Sequence, residues 1–360
     1  MTPTTSSLPS LRIGDPASLL ALVPYLLGFQ PSASLVLVAL GEGGRVALSA
    51  RVDLPVDLPD AGLRSLREAA AQLGRAASRS GGRSAVQVLY LPVGPAPADA
   101  RWQRVAATLT GGVSGAGLRS LDVLAVAGRR WWSLVCHTAG CCPSEGTPMP
   151  EVGTSAAEVA AVAAGLVNRG SRDDVVRLLA PGDQRRRAEV SDQLARLAPS
   201  RISGVRAGAD LAVVDAALRD ERAPLSTSNA ANLILAVDNI RVRDAVVVRT
   251  PGPDADRAVR LWIELVQLAP TDRLAPVATL LAAAAYQTGD GALAGLALDR
   301  ALAADPDYYL ASLLMASLSA GVPPQQLFDG LAAASAEARS ELVGETVPSG
   351  SADQLGSTGA

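Results

Sequence analysis

Apolar residues follow two rhythms along this chain, and the change falls near residue 150. Before it, short unbroken apolar runs alternate with segments whose apolar residues recur at helical spacing. After it, helical spacing is almost the whole pattern.

The first rhythm predicts five strands and three helices. Asp15-Pro16 pairs an N-cap with proline at the first helical position, so a helix starts there. It is expected to run to about Val23 and to stop near Pro24. Ser34 to Leu40 reads Ser-Leu-Val-Leu-Val-Ala-Leu, a short buried strand. Gly41-Glu42-Gly43-Gly44 turns it back into a second strand over 45–54. A helix over 60–79 is stopped by Gly81-Gly82, and 85–93 is a third strand. Residues 98–109 form a helix carrying Trp102, 121–127 a fourth strand and 130–136 a fifth. Strands alternating with helices, with a hairpin at each end, make an α/β domain: one mixed sheet flanked by helices.

The second rhythm predicts an all-α region. Helices are expected over 154–168, 171–179, 183–197, 208–220 and 226–243. Ser171-Arg172-Asp173-Asp174 has capping-box spacing, with Asp in the usual Glu position. Farther on, Ala258, Trp262, Leu265 and Pro270 are echoed by Ala294, Leu298, Ala301 and Pro306, an offset of 36 residues. These steps resemble the second helix of a tetratricopeptide repeat, whose period is about 34 residues. Ala278 stands where that repeat usually carries tryptophan, and a plain antiparallel bundle fits the pattern as well. The expected organisation is a disordered terminus (1–10), an α/β domain (11–150), a helical region (151–250), TPR-like helical hairpins (251–332) and a disordered tail (333–360).

Composition narrows the chemistry. With 49% hydrophobic residues and 19% charged, the chain can bury a sizeable core. All 32 basic residues are arginine, which removes P-loop and Schiff-base lysine chemistry. One histidine excludes multi-histidine metal sites and the H-E-x-x-H proteases. A net charge of −3 leaves no electrostatic footprint for nucleic acid or anionic lipid. Residues 1–10 lack the features of a signal peptide, and the longest apolar runs are too short to span a bilayer. A cytoplasmic protein with reduced cysteines follows as the expectation.

Reactive side chains concentrate in one place. The stretch from Arg130 to Gly146 holds Cys136, His137, Cys141 and Cys142, which are all the cysteines and the only histidine. Four readings stay open. The thiols pack as small apolar groups. Cys136, His137, Cys141 and Cys142 hold zinc, although adjacent Cys141 and Cys142 are awkward ligands for one ion. Cys141 or Cys142 is a nucleophile activated by His137, with Glu145 or Asp53 orienting the imidazole. Or the cysteines form a redox switch. Gly140, Pro143 and Gly146 give the loop special backbone geometry, which predicts that Cys141 or Cys142 reaches solvent or a pocket. Cys136 and His137 sit at a strand end and point to opposite faces, so only one of them can face the loop's thiols. If it is Cys136, a disulfide or a sulfur-rich metal site is favoured.

Arg172 and Arg243 are candidate clamps for an anionic ligand at the domain boundary. The alternative for Arg243-Asp244 is an ion pair tying the helices to the sheet.

Several stretches taken together resemble the DUF4192 family, found mainly in actinobacteria. They are Pro24-Tyr25-Leu26-Leu27-Gly28-Phe29, Arg51-Val52-Asp53-Leu54-Pro55, Arg130-Trp131-Trp132-Ser133, Cys141-Cys142-Pro143-Ser144-Glu145-Gly146, Ser171-Arg172 and Arg243-Asp244. The resemblance spans about Leu11 to Pro324. It implies a cytoplasmic bacterial protein and supplies no catalytic residue. The functional expectation is a non-enzymatic interaction or regulatory module, with a protein partner on the C-terminal helices and neither nucleic acid nor membrane as partner. The alternative is an enzyme, redox sensor or zinc protein acting through Cys136–Cys142. The sequence sets no oligomeric state.

Overall fold

The computed structural model describes residues 15–55, 58, 62–92, 99–136, 138, 141–151, 153, 155–198, 207–219, 224–248 and 255–344, the last ten as backbone only. The first part runs α1 (Pro16–Leu27), β1 (Ser34–Leu40), β2 (Val46–Asp53), α2 (Leu63–Arg79), β3 (Ser84–Tyr90), α3 (Ala100–Gly115), β4 (Arg119–Ala127), β5 (Arg130–Ser133) and β6 (Thr147–Pro148). The six strands form one mixed sheet in the order β2-β1-β3-β4-β5-β6. Only β3 and β4 are parallel, joined through α3; every other neighbouring pair is antiparallel.

Alternation along the strands sends residues to two faces. Leu35, Leu37, Ala39 and Leu89 pack with Leu66 and Leu73 of α2 and with Val105 and Leu109 of α3. Val36, Val38, Val88 and Val126 face the other way, into a core shared with α1 and the later helices. The sheet is therefore a middle layer, and each of its buried leucines contributes about 1.5–3 kcal/mol of transfer free energy.

The helices depart from expectation at proline and glycine. α1 continues through Pro24 to Leu27 and ends at Gly28, whose φ of 79° closes the helix with an N–H donated to Tyr25 O at 3.4 Å. Pro24 forfeits one main-chain hydrogen bond, but it is buried, and burial of Leu20, Val23 and Leu27 around it outweighs that loss. α3 runs past Leu109 through Gly111-Gly112 to Gly115. A Cβ on Gly112 would lie 2.8 Å from Ala70 Cβ, and one on Gly74 2.8 Å from Ala116 Cβ. These glycines let α2 and α3 approach closely.

The second part is helical: α4 (Ala156–Ala163), α5 (Arg172–Leu178), α6 (Gln184–Leu197), α7 (Ala207–Arg219), α8 (Thr227–Asp238), α9 (Ile240–Val247), α10 (Ala255–Leu268), α11 (Leu274–Gln287), α12 (Gly291–Ala304), α13 (Tyr309–Ser319) and α14 (Pro324–Gly344). Its one β contact among the described residues is a bridge from Gln30 to Ser171. The capping box at α5 is present in both directions, Ser171 Oγ to Asp174 N and Asp174 to Ser171 N. The single helix expected over 226–243 is divided at Asn239, which ends α8 and caps α9 by accepting from Arg241 N at 3.1 Å. α14 runs past Ala332 to Gly344. α10 and α12 are both 14 residues long, and their starts at Ala255 and Gly291 are 36 residues apart, the offset of the sequence echo. Trp262, Leu265, Leu298 and Ala301 on them are all buried. Among the described residues no helix is long and apolar enough to cross a membrane.

Candidate functional site

The cysteine loop hangs from the sheet edge between β5 and β6. β5 stops at Ser133, three residues earlier than expected, although Leu134 N still donates to Val123 O at 2.8 Å. Ser133 explains the exit. Its hydroxyl donates to Asp122 Oδ1 at 2.7 Å and accepts from Cys136 N at 3.2 Å, turning the chain away from β4. β6, which the sequence did not reveal, is two residues that pair with Arg130 and Trp131 and fix the loop's return.

Gly146 anchors the returning limb. It has φ of 81°, and a Cβ there would overlap the Trp132 ring, so only glycine fits. The Trp132 indole N–H donates to Ser144 O at 3.1 Å, and Arg130 Nη1 donates to Gly146 O at 2.6 Å. The two tryptophans point to opposite faces: Trp131 sits opposite Val126 and joins the core, while Trp132, opposite Ala125, receives the loop on the other face.

Cys141 N donates to Thr138 O at 3.1 Å, a turn that brings both adjacent cysteines toward Cys136. The sulfurs of Cys136, Cys141 and Cys142 all lie within 4.8 Å of one another. Cys141 is exposed, and Cys136 and Cys142 are partly so. The Thr138 main-chain N–H and the thiols of Cys142 and Cys141 favour the charged form of Cys136 and hold its pKa below the ordinary thiol value. Burial, together with the neighbouring Cys136, pushes Cys142 up to about 11. The charged form is thus favoured at one thiol of the cluster and disfavoured at another.

Of the other candidates, His137 and Gly140 lie outside the described residues. Glu145 is exposed and, among the described residues, accepts from its neighbour Ser144 at 3.3 Å. Asp53 plays no part in the loop. It lies on β2, four strands from β5 or about 19 Å across the sheet, where it pairs with Arg51. Among the described residues no fourth His, Cys, Asp or Glu joins the three cysteines.

Arg243, a candidate clamp for an anion, already has partners. Arg243 donates to Asp244 at 2.6 and 2.8 Å and to the Tyr308 hydroxyl at 2.9 Å, with its guanidinium 5.4 Å from the Tyr308 ring centre. It ties α9 to the turn before α13, inside the helical region and not to the sheet. Arg172 is exposed on the first turn of α5.

Residues 16–325 match the family described as domain of unknown function DUF4192. The chain belongs to the DUF4192 family. No curated protein and no solved structure matches it. Of the stretches by which the chain resembles DUF4192, the Cys-Cys-Pro-Ser-Glu-Gly segment is the returning limb of the thiol cluster. The Pro-Tyr-Leu-Leu-Gly-Phe segment has a different place. It ends α1 beside a cavity of about 360 Å³ whose lining includes none of the candidates drawn from sequence. Arg169, Arg260 and Asp290 in that lining are single charges far apart in the chain, with no motif to mark them.

Proposed function

We propose that the protein is a non-enzymatic regulatory module whose cysteine loop takes up one soft metal ion, with zinc the first to test. The observation that carries this is the convergence of three sulfurs within 4.8 Å. Zinc–sulfur bonds of about 2.3 Å in tetrahedral geometry place sulfurs about 3.8 Å apart. The cluster reaches that spacing by contracting about 1 Å at most, within the range of side-chain rotation. Thiolates select zinc or copper(I) over hard cations. Three protein ligands on an exposed loop leave one coordination position for a fourth group, from this chain or from a partner. Trp132, Arg130 and Ser133 act as outer supports that orient the ligand-bearing backbone.

The enzyme reading loses support because none of the thiols lines the cavity and Asp53 is across the sheet. A partner surface on the C-terminal helices is supported by Tyr309, an aromatic side chain 79% exposed on α13.

Metal content of the purified, reduced chain tests the reading, with cobalt(II) as a spectroscopic substitute. The expected result is one metal per chain and a sulfur-to-cobalt charge-transfer band, both lost in Cys136→Ser and in Cys142→Ser. Wild-type protein that retains no metal against a weak chelator, or a Cys136→Ser variant that binds unchanged, overturns it.

A further inference from the structure

The cavity beside α1 has features of a ligand site that the cysteine loop lacks. It is about 360 Å³, inside the range that holds small molecules. Its walls come from the end of α1, the segment leading to Arg169, α10, and the turn that opens α12. The frame is stapled. Arg169 N donates to Gly28 O at 2.9 Å and Gln30 N to Gly170 O at 2.6 Å. Gly182 N donates to Gln267 O at 2.9 Å, and the Gln267 side chain to Leu178 O at 2.8 Å. Gly28 favours glycine, since a Cβ would lie 3.0 Å from Asp290 Oδ1 at a strained φ of 79°. A cavity braced in this way is preorganised.

Its charges are unevenly committed. Asp290 is consumed: Oδ1 accepts from Leu293 N at 3.0 Å as the cap of α12, and Oδ2 pairs with Arg169. Arg169 spends Nη1 on that pair, and among the described residues its Nε and Nη2 have no partner. Arg260, exposed on α10, has no ion-pair or hydrogen-bond partner among the described residues. Asp256, one turn before Arg260, is the one opposing charge without a partner among the described residues that line the cavity. Leu26, Leu166, Val259 and Ile263 supply apolar wall.

We propose that this cleft binds a small organic carboxylate, its anionic group on Arg260 and the open edge of Arg169, its hydrocarbon part on Leu26, Leu166, Val259 and Ile263. Guanidinium donors take a planar carboxylate in paired hydrogen bonds, and the apolar wall selects against a bare inorganic anion. The cleft shares no residue with the cysteine loop, so it stands whether or not that loop holds metal.

Calorimetric titration of the full chain with hexanoate, hexylammonium and inorganic phosphate tests the proposal. Saturable hexanoate binding is expected, with hexylammonium and phosphate at least about tenfold weaker. Arg260→Gln alters a surface side chain with no partner to lose, so it should fold normally and weaken hexanoate by about tenfold or more. Ile263→Asp should weaken hexanoate as well. No saturable hexanoate binding, equal or tighter binding of hexylammonium or phosphate, or an unchanged affinity in Arg260→Gln overturns it. Tighter hexylammonium binding would mean that Asp256 governs the cleft instead.

Discussion

The cysteine loop and the cleft beside α1 share one chain but reach their geometry by different routes. The loop is shaped by neighbours in sequence. Cys136 bonds to Ser133, Trp132 to Ser144 and Arg130 to Gly146 across a short span, and only Asp122 comes from farther back. The cleft gathers Gly28, Arg169, Arg260 and Asp290 from four separate segments, held by helix packing. A local device can be disturbed without unfolding the protein. A device made of distant segments fails when the packing fails.

The largest expected effect sharpens that contrast. Trp262 is 2% exposed on α10, the helix that carries Arg260. Trp262→Ala should destabilise the protein by about 3–5 kcal/mol in urea unfolding. It should also abolish hexanoate binding while leaving thiol reactivity unchanged. A loss below about 1 kcal/mol would show that the helical packing does not depend on this side chain.

Gly146→Ala is the counterpart for the loop. A left-handed φ together with the Trp132 overlap should cost about 1–3 kcal/mol. Metal binding and Trp132 fluorescence should change while hexanoate binding persists. If both sites fail together, the loop is not the local device described.

Gly28→Ala inverts the test at smaller amplitude. Alanine at a φ of 79° costs about 1–2 kcal/mol. Chemical denaturation should register that loss, with hexanoate affinity reduced and metal stoichiometry unchanged.

The smallest effect concerns pH and leaves stability aside. In metal-free protein Cys136 has its pKa lowered, so its thiolate is present at a pH where an ordinary thiol is still protonated. Cys142 stays protonated until about pH 11. Mass-spectrometric mapping of alkylation against pH should label Cys136 before Cys142. The reverse order would contradict the hydrogen bonds assigned to the cluster.

Much of the fold was legible because it rests on local pattern. The apolar run at Ser34–Leu40 is a strand with those bounds, and Asp15 caps α1 as its spacing predicts. The breaks in legibility have physical causes. The first helix is expected to stop near Pro24 and the third at Leu109, yet α1 runs through the proline and α3 through Gly112, in packing that a linear reading does not contain. β6 is too short to carry a pattern and exists because Arg130 and Trp131 offer it an edge.

For the sites, the sequence by itself determined that reactive sulfur would be concentrated before residue 143, and that special backbone geometry would frame it. It determined the two rhythms that divide sheet from helices. Tertiary structure alone decided that Cys136 faces Cys141 and Cys142, because the exit from β5 is set by Asp122 on the neighbouring strand. It alone removed Asp53 from the loop, since strand order is not written in strand sequence. And it alone assembled Arg169, Arg260 and Asp290 around one cavity. Charges spaced by tens of residues acquire a common function only when burial of apolar surface brings their helices together.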